Sequence, residues 1–398
     1  MDFELSPELA EMRRKVRAFV DERVIPVEAA AIAEDREGRA DSLTALQREA
    51  RAAGLWTPHL PPEWGGLGLG VMGMCALFRE MGRSPVGARV FNCDAPDQGN
   101  MDLLLGAASD AQRRRWLGPL AAGEITSAFC MTEPAPGAGA DPSNLRTRAT
   151  PQGGGGWRID GHKWFSTGGG QASLLMVMAR TSEDPKRGAT LFLVERGAAG
   201  VTHVRDVGTM GDPLLAHREA ELRFDDVRVG DDAVLGGVGE GFRLAQARLV
   251  PARLTHCMRW LGLADRALGM CRAYLTTRES FGQVLARHQM VQRLVAEGAT
   301  AIHAGNLMTL HCAWMLERGL TREARPYSSI AKTHVARTLC KVLDNAIQMH
   351  GALGYSEDLP FGQWYRHARA ARIADGPDEV HEMLIARDFL LGKLDALV

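Results

Sequence analysis

Glu221-Leu222-Arg223-Phe224-Asp225 alternates polar and apolar residues, as a half-buried strand should. It belongs to a stretch, 123–236, in which Ile125 to Met131, Trp157 to Asp160, Leu174 to Ala179, Leu191 to Val194 and Ala220 to Val229 all read as short strands. Between them lie Gly153 to Gly156, Gly168 to Gly170 and Gly197 to Gly200, which are turn material. The four-glycine run suits a flexible hairpin tip. Short strands with Gly-rich turns and no helices between them predict an antiparallel sheet or barrel rather than a Rossmann unit.

Outward from this stretch, both flanks are helical. Ser6 can cap a first helix, with Pro7 at its first position and Glu8 at its positive end. Leu9, Met12, Val16, Phe19 and Val20 then form one apolar stripe. Pro61-Pro62-Glu63-Trp64-Gly65-Gly66 breaks the pattern as a loop. Beyond Gly239, Ile330, His334, Val335, Leu339, Val342, Leu343 and Ile347 share a face at helical period. The predicted architecture is therefore α+β and multi-domain. It has an N-terminal helical domain (1–122), a middle antiparallel β-barrel or sheet domain (123–236) and a C-terminal four-helix bundle (237–398).

The 398 residues are 45% hydrophobic and 24% charged, with formal net charge -1, an ordinary globular balance. No long-range field points to nucleic acid or an anionic membrane. Neither a basic start followed by an apolar core nor an apolar run long enough for a membrane span is found. The seven cysteines are scattered without a CxxC, which fits free thiols in a reducing compartment. A cytoplasmic location is expected.

Several motifs read as structure rather than chemistry. Gly68-Leu69-Gly70-Val71-Met72-Gly73 has GxGxxG spacing, but a loop precedes it where a dinucleotide fold needs a strand. His303 and His311, with Cys312 adjacent, are expected on one helix face; they lack a third ligand, so no metal is predicted. No GxSxG elbow occurs.

Four ordered segments carry more. They are Phe129-Cys130-Met131-Thr132-Glu133-Pro134 with Gly137-Ala138-Gly139-Ala140-Asp141; Asp160-Gly161-His162-Lys163-Trp164-Phe165-Ser166-Thr167-Gly168; Arg278-Glu279-Ser280-Phe281-Gly282 with His288-Gln289; and Gln348-Met349-His350-Gly351 followed by Tyr365-Arg366 and Asp375-Gly376-Pro377-Asp378-Glu379. In order and spacing they resemble the acyl-CoA dehydrogenase family of flavoproteins across nearly the whole chain. Phe91-Asn92-Cys93-Asp94-Ala95-Pro96-Asp97 gives the texture of the branch that includes ACAD10 and ACAD11.

The resemblance implies FAD as cofactor. Phe129, Met131 and Thr132 would meet the flavin's pyrimidine side, and Phe165 would cover a ring face where the family commonly has tryptophan. The Ser166 and Thr167 hydroxyls would reach its polar edge or N5. It further implies that Arg278, Phe281 and Gln289 reach the FAD of a neighbouring subunit, and that Gln348 and Gly351 meet its pyrophosphate or adenine side. A homodimer or homotetramer is thus expected. Glu379 is grouped with these flavin contacts, although with Asp378 it also suits a helix start. Asp375 matches the position of the catalytic base, one methylene shorter than the usual glutamate; Ala252 occupies the alternative base position and cannot serve. Arg253 would place the carboxylate loop or the CoA part of the substrate.

The function implied is α,β-dehydrogenation of an acyl-CoA thioester, in the chemistry of fatty acid metabolism, with an electron-transfer flavoprotein as acceptor. Three alternatives remain at this point: a nitroalkane-oxidase-like flavin oxidase, a dehydrogenase of carrier-protein-bound acyl groups, and a flavin-free scaffold.

Overall fold

The computed structural model describes residues 4–184, 187–211 and 218–394. Helices come first, a sheet follows and helices return, with the chain divided between two compact units. One unit comprises 1–55, 69–91 and 253–398; the other comprises 56–68 and 92–252. Among the described residues no helix is long and apolar enough to cross a membrane.

The sheet unit contains β1 (Ser127–Cys130), β2 (Arg148–Pro151), β3 (Trp157–Thr167), β4 (Leu174–Arg180), β5 (Ala189–Glu195), β6 (Val201–Val207), β7 (Glu219–Val229) and β8 (Val234–Leu235). Their order is β6-β7-β3-β2-β4-β5-β8, with β1 also on β4. Neighbours are antiparallel except where β1 and β2 run parallel to β4. The parallel pairs have a simple cause: β1 and β4 are separated by the β2–β3 hairpin, so no tight turn imposes their direction. Gly153 to Gly156 form the tip of that hairpin, closed by Gln152 N–H donating to Gly156 O at 3.0 Å.

β4 explains the double-sided core. Leu174, Met176 and Met178 face one apolar cluster, shared with Met101, Leu104 and Leu117 of the preceding helical segments. Leu175, Val177 and Ala179 face another, shared with Ile159 of β3 and Leu222, Phe224 and Val227 of β7. A strand covered on both sides reads as a continuous apolar run, whereas Glu221 to Asp225 alternates because only one side is covered.

In the helical unit, Ser6 accepts from Leu9 N–H at 3.3 Å and starts the helix Pro7–Phe19, whose Val16 is buried. Long helices follow at Gln289–Glu317 and Thr321–His350. In the latter Val335, Leu339, Val342 and Leu343 are buried, while Ile330, His334 and Ile347 are half-buried. His303 and His311 do not share a face: His311 is buried and His303 exposed. Eight residues at about 100° each leave the two roughly 80° apart. The GxGxxG stretch leads from the 3₁₀ turn Pro62–Trp64 into the helix Val71–Met81.

That last helix crosses the long helix Gly241–Leu275 at two glycines. A Cβ on Gly262 would stand 2.0 Å from Arg79 O, and one on Gly82 would stand 2.3 Å from Arg259 Cα. Both neighbours are backbone, so neither can swing aside. Gly262→Ala should therefore cost about 1–3 kcal/mol through overpacking and lower the melting temperature by several degrees. An unchanged melting curve would show that the two helices separate freely.

Candidate active site

In the sheet unit the two segments matching the flavin side lie together. Trp164 N–H donates to Thr132 O at 3.1 Å, and Lys163 Nζ donates to Met131 O at 2.9 Å. Lys163 also meets Glu133 Oε1 at 2.9 Å, with both side chains buried. The Glu133 carboxylate accepts from three backbone N–H groups as well: Arg146 at 2.7 Å, Thr147 at 2.8 Å and Ala138 at 3.2 Å. Burial pushes this carboxyl up, but Lys163 and the Thr147 donors outweigh it and hold its pKa at about 2. The charged members of the Thr-Glu-Pro and His-Lys-Trp motifs are thus structural ties that fix the loop between β1 and β2.

The aromatic beside them is presented outward. Phe165 adopts φ 48°, a left-handed conformation unusual for a bulky residue, and is 43% exposed. The register of β3 against β7 shifts between Lys163 and Ser166, which allows this turn-out. Ser166 corrects the sequence expectation. It is fully buried while Phe165 is exposed, so its hydroxyl does not sit with the outward ring. Thr167 donates its hydroxyl proton to Glu219 Oε2 at 2.9 Å, leaving its oxygen as an acceptor. Phe129 is half-buried under the Arg248 guanidinium, 4.4 Å above its ring, which in turn donates to Asn100 Oδ1 at 2.8 Å. Met131 and Thr132 are also half-buried.

In the helical unit, Asp375 sits just before the helix Asp378–Leu390 with φ 54°, and Gly376 follows at 105°. Side chains from three helices secure this left-handed loop. Arg253 Nε donates to Asp375 O at 3.0 Å, His381 Nε2 donates to the same oxygen at 3.2 Å, and Lys332 Nζ donates to Gly376 O at 2.7 Å. A Cβ on Gly376 would approach His381 Nε2 to 2.8 Å, so glycine is required. His381 also pairs with Ser329 Oγ at 2.9 Å. Burial, with Arg253 and Lys332 nearby, lowers its pKa to about 4, so it is neutral at pH 7.

Asp378 opens the helix that follows this loop, as expected, and is also a buried anchor, held by Arg372 at 2.8 Å and Arg337 at 3.0 Å. Glu379, its neighbour, is exposed. Arg253 is buried and its Nε is committed to the Asp375 carbonyl, which favours the loop-placing role over a CoA contact.

Sequence reasoning did not find His256. Its Nε2 lies 3.3 Å from Asp375 Oδ2. The signal was its spacing, three residues after Arg253 on one helix, which puts both on the same face.

The remaining expected residues form an exposed set. Phe281 and Gly282, both at positive φ, make the two-residue tip of a hairpin between Glu279–Ser280 and Gln283–Val284. Phe281 is 96% exposed there. Arg278, Gln289, Gln348 and Gly351 are exposed too. Among the described residues no cluster of His, Cys, Asp or Glu could hold a metal ion.

Comparison with known proteins gives a consistent family. Models of the acyl-CoA dehydrogenase N-terminal, middle and C-terminal domains match residues 6–124, 128–227 and 239–390. The Mycobacterium tuberculosis protein named "Probable acyl-CoA dehydrogenase FadE2" is 37% identical, over 97% of this chain and 96% of its own. Mouse acyl-CoA dehydrogenase family member 10 is 34% identical over 96% of this chain, which spans 37% of that longer protein. A solved structure of a candidate acyl-CoA dehydrogenase from Mycobacterium abscessus superposes with TM-score 0.93 at 37% identity, covering 98% of this chain and all of the other.

The Glu133–Lys163 tie makes a pH prediction. The folded carboxyl titrates at about 2 against an ordinary 4.5. Its stabilisation should therefore be complete above pH about 4.5 and be lost as pH falls towards 2. Lys163→Met should cost about 3–5 kcal/mol at pH 7, by leaving a buried carboxylate without its cation, and should flatten that acid dependence. Urea unfolding at several pH values measures both; a loss below about 1 kcal/mol would contradict the pairing.

Proposed function

Because the chain belongs to the acyl-CoA dehydrogenase family, we propose that it is an FAD-dependent enzyme that dehydrogenates an acyl-CoA thioester at its α,β bond, with Asp375 as the base. The observation that carries this reading is the Asp375 loop itself. Asp375 stands at φ 54° on a loop whose backbone is captured by Arg253, His381 and Lys332 and so is held in one conformation at a cost. A turn aspartate serving its own backbone would not require three side-chain donors.

The residues of the sheet unit fit a flavin. Two adjacent segments bring together the half-buried Phe129, Met131 and Thr132 and an outward aromatic face at Phe165, with the Thr167 oxygen on the same strand. FAD would supply the hydride acceptor for the β carbon. Asp375 takes the α proton, and its backbone N–H is assigned to the thioester oxygen, where negative charge develops. Arg253, His381 and Lys332 keep the loop backbone that carries that N–H in place.

Arg278, Phe281, Gln289, Gln348 and Gly351 are assigned to the FAD of a neighbouring subunit. Their exposure supports this, above all an almost fully exposed phenylalanine at a hairpin tip. The working enzyme is then a homodimer or homotetramer. An electron-transfer flavoprotein is proposed as the acceptor that reoxidises it.

The test is anaerobic mixing of the flavin-loaded protein with a panel of acyl-CoA thioesters while following flavin absorbance. Bleaching with at least one thioester is expected; bleaching with none would sink the assignment. Asp375→Asn should retain FAD and lower the bleaching rate by about 10³-fold or more, within the range of lost base catalysis.

A further inference from the structure

We propose that His256 is the positioning residue of the Asp375 base, directing an Nε2–H at Oδ2 and so fixing how the carboxylate faces the α proton. The inference rests on the assignment of Asp375 as base. Three features of the helix Gly241–Leu275 support it.

The first is distance: Nε2 stands 3.3 Å from Asp375 Oδ2. At this distance the pair is in ion-pair range without hydrogen-bond alignment; contacts in a resting site are often poorly aligned and tighten only when substrate is bound.

The second is the tautomer. Arg259 Nη2 lies 3.0 Å from His256 Nδ1. A guanidinium has only donors, so Nδ1 must accept and carries no proton. The proton then resides on Nε2, the nitrogen facing Asp375. In this arrangement the ring is a neutral donor. An imidazolium would need both nitrogens protonated and would set an N–H against the arginine.

The third is orientation. Trp260 stacks on the imidazole, with centroids 5.2 Å apart and planes 21° from parallel. This limits rotation of the ring out of line with the carboxylate. Three successive neighbours on the helix thus have separate tasks: Arg253 holds the Asp375 backbone, His256 its side chain, and Arg259 the protonation of His256.

The chemistry follows. A base must be charged and correctly aimed, but must not be tied into so strong an ion pair that its basicity is lost. A single hydrogen bond from a neutral imidazole orients the carboxylate without adding a third positive charge to those of Arg253 and Lys332 already nearby. Aspartate is one methylene shorter than glutamate and has fewer rotamers, so one well-placed donor suffices to aim it.

The test separates proton removal from hydride transfer. An acyl-CoA with no β hydrogen, such as 3,3-dimethylbutyryl-CoA, cannot be dehydrogenated but can exchange its α protons with deuterated solvent, read by mass spectrometry. With the flavin-loaded enzyme, His256→Ala is expected to slow exchange about 10- to 100-fold, the range of one hydrogen bond to a charged group. On a reactive thioester it should lower kcat by a similar factor, with KM changed less than about threefold. His256→Gln, which retains a donor near the same reach, should recover most of the loss. Arg259→Gln, which relaxes the tautomer, should fall between. Exchange in His256→Ala within twofold of the native rate would overturn the proposal. So would a Gln variant that folds, binds FAD and is as slow as Ala. Undiminished exchange in Asp375→Asn would instead remove the underlying base assignment, so the two failures are distinguishable.

Discussion

Two carbonyl oxygens, those of Asp375 and Gly376, capture three buried or half-buried donors, and the shape of the candidate catalytic loop depends on that capture. Consecutive residues at positive φ would not persist on intrinsic preference; for aspartate the left-handed region is tolerated rather than favoured. The donors come from three helices, so the loop is as rigid as the bundle that carries them. Asp378 closes the arrangement from the other side. Its buried carboxylate receives Arg337 from one helix and Arg372 from the turn before the loop, fixing where the last helix begins. Burial alone would raise that carboxyl's pKa, but the two arginines hold it below its ordinary value.

The sheet unit solves the same problem with the charges reversed. There a buried carboxylate, Glu133, collects backbone N–H groups from a loop, and a buried ammonium, Lys163, neutralises it. In both units the groups that a motif reading would single out as reactive divide in two. One member sits on a strained backbone, Phe165 exposed or Asp375 half-buried, and the charged neighbours hold it there. Six non-glycine residues adopt positive φ among the described residues, and Phe165, Phe281 and Asp375 are three of them. Backbone strain concentrates where the sequence placed function.

Legibility in the sequence followed the range of the interaction. Strands that are covered on one or both sides were visible, because burial imprints a period on the chain. β2, β6 and β8 were not: Arg148-Ala149-Thr150-Pro151 lacks an apolar rhythm, Val201 to Val207 is mostly exposed, and Val234–Leu235 is two residues long. Ser166 was misread because a motif gives proximity in sequence but not burial. Asp375 was singled out by its register after Tyr365-Arg366, but the conformation of its loop could not be read there. His256 was marked only by its spacing from Arg253, and Lys332 carried no local mark, since only the packing of helices brings them to the loop.

Lys332 shows what holding this loop costs the fold. It is fully buried, and desolvation draws its pKa down to about 8 despite the pull of Asp378 and Asp375. Between pH 8 and the ordinary 10.5 the unfolded chain holds more protons than the folded one, so this lysine makes stability rise with pH across that window. At pH 7 the whole penalty is present, on the order of 3 kcal/mol for a shift of this size. An apolar side chain of similar length would avoid that penalty but could not donate to Gly376 O. A stabilising role therefore does not account for the lysine, and its hydrogen bond to the loop does. The bundle would be more stable without the charge, and the loop would lose its third donor.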